Sequence, residues 1–208
     1  MTIAIVDYGM GNLGSLTRAL ENCHADVVVS DDPAVIDQVA GVILPGVGAF
    51  ADGMANLNAR GWLAALRALV AAGTPLLGIC LGMQLLADYG EEGGGCNGLG
   101  LIGGAVRRLQ PRDERERIPH VGWNNVHWRN ASPLFADLAN DSDFYFVHSY
   151  HFIPRSPDVV IATSDYCGGF AAALQQGVTF GVQFHPEKSS HGGMRLLRNF
   201  VALCEPHA

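Results

Sequence analysis

Charge is scarce in this chain. Only 16% of its 208 residues are Asp, Glu, Lys or Arg, and the formal net charge is −7. An acidic surface repels phosphates and anionic headgroups, which argues against a nucleic-acid partner and against binding to a charged membrane. Long apolar runs are missing too: no stretch approaches the roughly 18 residues that a membrane span needs. The N-terminus runs straight into Ile3-Ala4-Ile5-Val6-Asp7, without a basic leader or a cleavable apolar segment. Five cysteines (Cys23, Cys80, Cys96, Cys167 and Cys204) form no C-x-x-C pair and no metal-type spacing with histidine. An odd, scattered set argues against a disulfide scaffold and for a reducing compartment. The expectation is a cytoplasmic, soluble protein without a metal.

What the chain does have is apolar substance and glycine. Hydrophobic residues make up 49% of the sequence, and there are 26 glycines, many beside apolar runs where tight turns are needed. A chain of this length can bury roughly 70% of the surface that its unfolded form exposes, enough for one core over residues 1–208. Short apolar segments alternate with helical patterns in the first half. Ile3–Val6, Val27–Val29, Val42–Leu44 and Leu76–Ile79 read as strands. Between them, Leu13, Leu16, Ala19 and Leu20 recur at helical spacing, Asp31-Asp32-Pro33 starts a capped helix, and Ala51–Leu57 and Trp62–Ala72 read as helices.

Continuous apolar strands separated by helices imply a parallel sheet covered on both faces. Beyond Gly90 the pattern changes to a glycine-rich loop over 91–100 and a charged, solvated stretch over 107–117. Closely spaced strands follow at 144–147, 159–163, 170–174 and 178–184, suited to antiparallel pairing, and a closing helix spans 190–204. The fold class is α/β: a mainly parallel central sheet flanked by helices, with added antiparallel strands.

Gly78-Ile79-Cys80-Leu81-Gly82 carries the most chemistry. It follows an apolar strand and leads into Met83-Gln84-Leu85-Leu86, the strand–turn–helix context of a nucleophile elbow. Small residues on either side permit a turn that a β-carbon would obstruct, and a sulfur at the start of a helix meets unpaired N–H groups that favour thiolate. A cysteine nucleophile needs a base and a group to orient that base. Gln183-Phe184-His185-Pro186-Glu187 offers both, at the C-terminal end of another strand. Active groups of open α/β sheets gather at that edge. Proline biases His185 towards an extended backbone, and Glu187 is placed to fix the imidazole tautomer. Donors for a developing oxyanion are available from the Leu81 N–H and from Pro45-Gly46-Val47-Gly48 at the end of a neighbouring strand.

Together these segments resemble the class I, triad-type glutamine amidotransferases, nearly end to end. The resemblance implies that Cys80 is the nucleophile, His185 the acid and base, and Glu187 the orienting carboxylate. It assigns Gln84, Gly48, Leu81, Ser149 and Tyr150 to substrate, with Val47, Gly48 and Leu81 forming the oxyanion site. Five segments are similar to the branch that forms the glutaminase subunits of imidazole glycerol phosphate synthase: 7–12, 45–50, 118–124, 146–150 and 183–189. Pro119-His120-Val121-Gly122-Trp123-Asn124 is the most discriminating of them. That branch implies hydrolysis of L-glutamine to glutamate and ammonia without a cofactor, with the ammonia passed to a (β/α)8-barrel cyclase subunit. Pro119, His120, Trp123, Asn124 and Tyr145 are then the candidates for facing that subunit. A glutaminase serving another synthase and a stand-alone γ-glutamyl hydrolase are the alternatives. His24, His127, His191 and His207 are expected at the surface, and the cysteines other than Cys80 in packing roles.

Overall fold

The computed structural model describes residues 1–205, so His207 lies outside the described residues. Along the chain come β1 (Thr2–Val6), α1 (Leu13–Glu21), β2 (Asp26–Ser30), β3 (Gly41–Leu44), α2 (Phe50–Ala59), α3 (Trp62–Ala71), β4 (Leu76–Ile79) and α4 (Leu81–Leu85). There follow β5 (Tyr89–Gly90), β6 (Cys96–Asn97), β7 (Gly104–Arg108), β8 (His120–Trp128), β9 (Ser142–His148), β10 (Tyr150–Pro154), β11 (Val160–Ser164), β12 (Phe170–Gln176), β13 (Thr179–Val182) and α5 (Ser190–Leu203). One sheet of nine strands runs in the order β2-β1-β3-β4-β13-β12-β11-β8-β9. Its first five strands pair in parallel and the rest antiparallel. The α/β sheet expected from the sequence is therefore present, and β13 joins its two halves by lying parallel to β4 and antiparallel to β12.

Strands β3, β4 and β13 are buried along their whole length, which is why they read as unbroken apolar runs. Their side chains divide between two cores. Ile43, Leu77 and Phe180 join α1 and α5 on one face, whereas Val42, Leu44 and Leu76 join α2 and α3 on the other. A second sheet, in the order β10-β7-β5-β6, sits over the second core through Val106 and Phe152.

Several expectations need correcting. The capped segment after Asp32 is a short 3-10 helix, Pro33–Gln38, although Asp32 does accept from the Ala34 N–H at 3.0 Å. The glycine-rich loop starts directly after β5 and contains a short 3-10 turn, Glu92–Gly94, and β6, and the charged stretch begins inside β7. Its Arg107 and Arg108 are exposed, while Leu109 is buried. Strand β8 lies on the 118–124 motif, where an alternating pattern with Gly122 and two asparagines hid its strand character. Among the described residues all five cysteines are free thiols, and no helix is long and apolar enough to cross a membrane.

Candidate active site

Cys80 is the one residue between β4 and α4. Its backbone takes φ 54°, ψ −111°, a region L-residues rarely occupy, which costs about 1–3 kcal/mol. The glycines on either side make this turn possible by removing bulk. A β-carbon on Gly82 would stand 1.8 Å from Leu44 O, and one on Gly78 2.7 Å from Gly82 O. The first N–H groups of α4, beginning with Leu81, have no acceptor within the helix, and no side chain caps them. Cys80 Sγ lies 3.8 Å from Val147 O.

His185 follows β13, whose Val182 is in register with Ile79, so the two chain ends bearing Cys80 and His185 leave the sheet side by side. Its backbone is extended, φ −101° and ψ 96°. The segment is pinned to β9: His185 N donates to Tyr145 O at 2.9 Å, and the Ser189 hydroxyl donates to His185 O at 2.6 Å while accepting from Tyr145 N at 3.0 Å. His185 Nδ1 lies 2.9 Å from Glu187 Oε1, with the two side chains 3% and 5% exposed. Its Nε2 is buried without a hydrogen-bond partner. Burial alone would lower the imidazole's pKa. The sulfur of Cys80 and the carboxylate of Glu187 outweigh it and raise the pKa to about 9.

A cavity of about 280 Å³ opens over the sulfur. Val47, Gly48, Cys80, Leu81, Gln84, Ser149 and Tyr150 all line it, so the structure gathers every residue that the resemblance assigned to substrate and oxyanion. Gly48 has φ +113°, and a β-carbon there would stand 2.6 Å from Met10 Cε. Below it, Tyr8 donates to Pro45 O at 2.8 Å and holds the end of β3, and burial raises that phenol's pKa.

Three further lining residues, Glu92, Val147 and His148, were given no role from the sequence, and Pro119, expected at an interface, lines the cavity as well. Glu92 Oε2 accepts from the Phe50 N–H at the start of α2, 2.8 Å away, which brings a carboxylate to the cavity. His148 is buried, its Nδ1 is 2.8 Å from Tyr150 O and its Nε2 is 3.2 Å from His120 Nδ1. Burial lowers the pKa of His148 to about 3 and of His120 to about 4, so both rings are neutral at neutral pH. A carbonyl can only accept, so His148 carries its proton on Nδ1 and His120 donates to His148 Nε2. No local sequence pattern announces that pairing, because β8 and β9 bring the two rings together by register.

The five interface candidates do not share one face. Trp123 is 53% exposed rather than packed in the core, and it meets half-buried Tyr145 edge-to-face at 6.2 Å. Lys188, the only lysine in the chain, sits 5.9 Å above the Tyr145 ring. Exposed Val121 pairs with Val147, which lines the cavity, so the aromatic face runs up to the cavity mouth. His120 is a correction: it stacks on Tyr166 and Phe146 and is buried, so it cannot face a partner directly. Asn124 is half-buried, and its Oδ1 accepts from the Asn125 N–H at 2.9 Å. Among the other histidines, His24 and His191 are exposed as expected, whereas His127 is half-exposed and engages Asp141.

Comparison with known proteins identifies the family. A family model described as "Glutamine amidotransferase class-I" matches residues 4–204. The chain is 52% identical to imidazole glycerol phosphate synthase subunit HisH of Moorella thermoacetica over 97% of this chain and 94% of that protein. It is 48% identical to the subunit of the same name from Geobacillus kaustophilus, over 97% and 96%. A crystal structure of a glutamine amidotransferase superposes with a TM-score of 0.76 at 18% identity, covering 97% of this chain and 98% of that one. PurLQS from Thermotoga maritima gives 0.75 at 18% identity, covering 98% and 99%. At that identity the superpositions speak for the fold alone. From the match along nearly its whole length, this chain belongs to the class-I glutamine amidotransferase family, among relatives that are HisH subunits of imidazole glycerol phosphate synthase.

Proposed function

We propose that this chain is the glutaminase subunit of imidazole glycerol phosphate synthase in histidine biosynthesis, acting as one domain in the cytoplasm. The observation that carries the reading is a cavity with Cys80 in its lining, beside a buried His185–Glu187 pair, in a chain 52% identical to such a subunit.

The chemistry follows from the groups present. Cys80 sulfur adds to the carboxamide carbon of L-glutamine, and charge builds on the carboxamide oxygen. The N–H of Leu81 and an N–H from Val47 or Gly48 receive that charge. His185, held protonated by Glu187 and the sulfur, gives its proton to the departing nitrogen as the C–N bond breaks, releasing ammonia and leaving a γ-glutamyl thioester. Water then adds to the thioester while the now neutral His185 takes its proton. The C–S bond breaks, giving glutamate and the starting sulfur. Gln84, Ser149, Tyr150 and the Glu92 carboxylate hold the amino-acid end of the substrate. The steps use no cofactor and no metal.

Ammonia loses its nucleophilicity on protonation in water, so a glutaminase of this kind works against a synthase. The partner in this reading is a (β/α)8-barrel cyclase in a one-to-one complex. It docks on the face of Val121, Trp123, Tyr145 and Lys188, which carries exposed apolar side chains beside the cavity mouth. Such exposed aromatics are the typical anchors of protein interfaces. Activation by the liganded partner would act on the Val47–Gly48 peptide, because Gly48 sits at φ +113° and can change conformation cheaply. The deciding experiment is glutamate release by the purified chain, alone and with the barrel subunit carrying its ligand. Release that depends on that partner supports the reading. Equal turnover without it would favour a stand-alone γ-glutamyl hydrolase.

A further inference from the structure

One side chain outside the triad touches both the nucleophile and the substrate wall. Gln183 lies between β13 and His185 and is fully buried. Its Oε1 accepts from Gln84 Nε2 at 3.0 Å, and its Nε2 donates to Cys80 Sγ at 3.8 Å. Its own backbone N–H donates to Ala172 O at 2.9 Å, which fixes it to β12.

The direction of each amide follows from a single carbonyl. Tyr150 O can only accept, and Gln84 meets it at 2.8 Å, so that atom of Gln84 is the amide nitrogen. The second proton of the same nitrogen goes to Gln183 Oε1, which turns the nitrogen of Gln183 towards the sulfur. His148 donates to Tyr150 O from the other side and holds that carbonyl in place. Both N–H bonds of Gln84 are thus used inside the protein, and only its Oε1 is left for a ligand in the cavity. Gln84 therefore recognises an N–H of the substrate rather than its carboxylate.

We propose that Gln183 is a positioning residue of the glutaminase. It commits Gln84 to accepting from the substrate, and it keeps an N–H donor against the sulfur while the sulfur attacks. This rests on the glutaminase reading above. A side chain that merely filled space could be replaced by an apolar isostere with little effect on either step.

The test is alkylation of Cys80 by a chloroketone analogue of glutamine, followed by intact-mass spectrometry, which yields an apparent affinity and a maximal rate separately. Wild-type chain, assembled like each variant with the liganded barrel subunit, is labelled at Cys80 and protected by L-glutamine; absence of that labelling would overturn the glutaminase reading itself. Gln183→Glu keeps an acceptor for Gln84 but has no donor for the sulfur. Its affinity stays within about twofold while its maximal rate falls about tenfold. Gln183→Met keeps the reach without either polar atom, so its affinity also weakens about fivefold. Iodoacetamide, which ignores Gln84, reports the sulfur alone and slows about tenfold in both variants. If wild type is labelled and Gln183→Met, folded with an unchanged melting curve, keeps both parameters within about twofold, the proposal is overturned. Gln183→Leu decides by the same criteria if Gln183→Met does not fold.

Discussion

His185 Nδ1 and Glu187 Oε1 face each other at 2.9 Å across a single proline, and both side chains are shut off from water. The carboxylate and the nearby sulfur hold the imidazole protonated to about pH 9, so it can serve as the acid that ammonia release needs. The rate of Cys80 acylation, read as kcat/KM for glutamine in the activated complex, is expected to fall above an apparent pKa near 9. In Glu187→Gln the carboxylate's contribution is lost, so that alkaline limb moves towards neutral pH. A pH–rate profile of both proteins checks this, and an unmoved limb would contradict it.

The same groups set the pH dependence of stability. His185 has a folded pKa of about 9, above the ordinary 6.5, so its contribution is complete below pH 6.5 and disappears as pH rises through 9. The loss is about 3 kcal/mol. His120 and His148 shift the opposite way, to about 4 and about 3, because burial opposes their charged forms. The unfolded chain binds those protons first, so stability also falls as pH drops below 6.5. Denaturant melts from pH 4 to pH 10 should show a maximum near pH 6.5, and His185→Gln should flatten the alkaline side.

Gly82→Ala is expected to destabilise the chain by about 3 kcal/mol or more, since its β-carbon would overlap Leu44 O at 1.8 Å and neither backbone can yield. Gly94→Ala carries only backbone strain, from φ +95°, because a β-carbon there meets nothing within 4 Å. Thermal melts that rank Gly82→Ala well below Gly94→Ala bear out the elbow's packing.

Trp123→Ala should separate docking from folding. Its side chain is 53% exposed and its removal should alter the melting of the isolated chain by no more than about 0.5 kcal/mol. Association with the barrel subunit, measured by calorimetry, should weaken by about 2 kcal/mol, or roughly thirtyfold. Unchanged association would move the docking surface elsewhere.

How much of this was legible in the sequence depends on the range of the interactions. The buried parallel strands are short apolar words, and Leu76–Ile79 could be read to the residue because every one of its side chains is covered. The elbow was legible because Gly78, Cys80 and Gly82 act through local backbone space. So was the extended His185 before Pro186. Strand β8 was missed because Gly122, Asn124 and Asn125 break the usual strand composition, and its stability comes from pairing with β9 rather than from propensity. The His120–His148 pair and the Gln84–Gln183 bridge were also out of reach, since they join residues 28 and 99 positions apart. Glu92 could not be placed at the cavity before the loop that carries it was seen to cap α2.

The most direct test of the whole account is glutamate release from L-glutamine by wild-type chain and by Cys80→Ser, each assembled with the liganded barrel subunit. Wild-type assembly should release glutamate and ammonia in equal amounts, with a γ-glutamyl adduct trapped on Cys80 by acid quench, and the serine form should lose activity by about a thousandfold or more. Full activity in the serine form, or turnover without an adduct on Cys80 under conditions that trap one elsewhere, would contradict it.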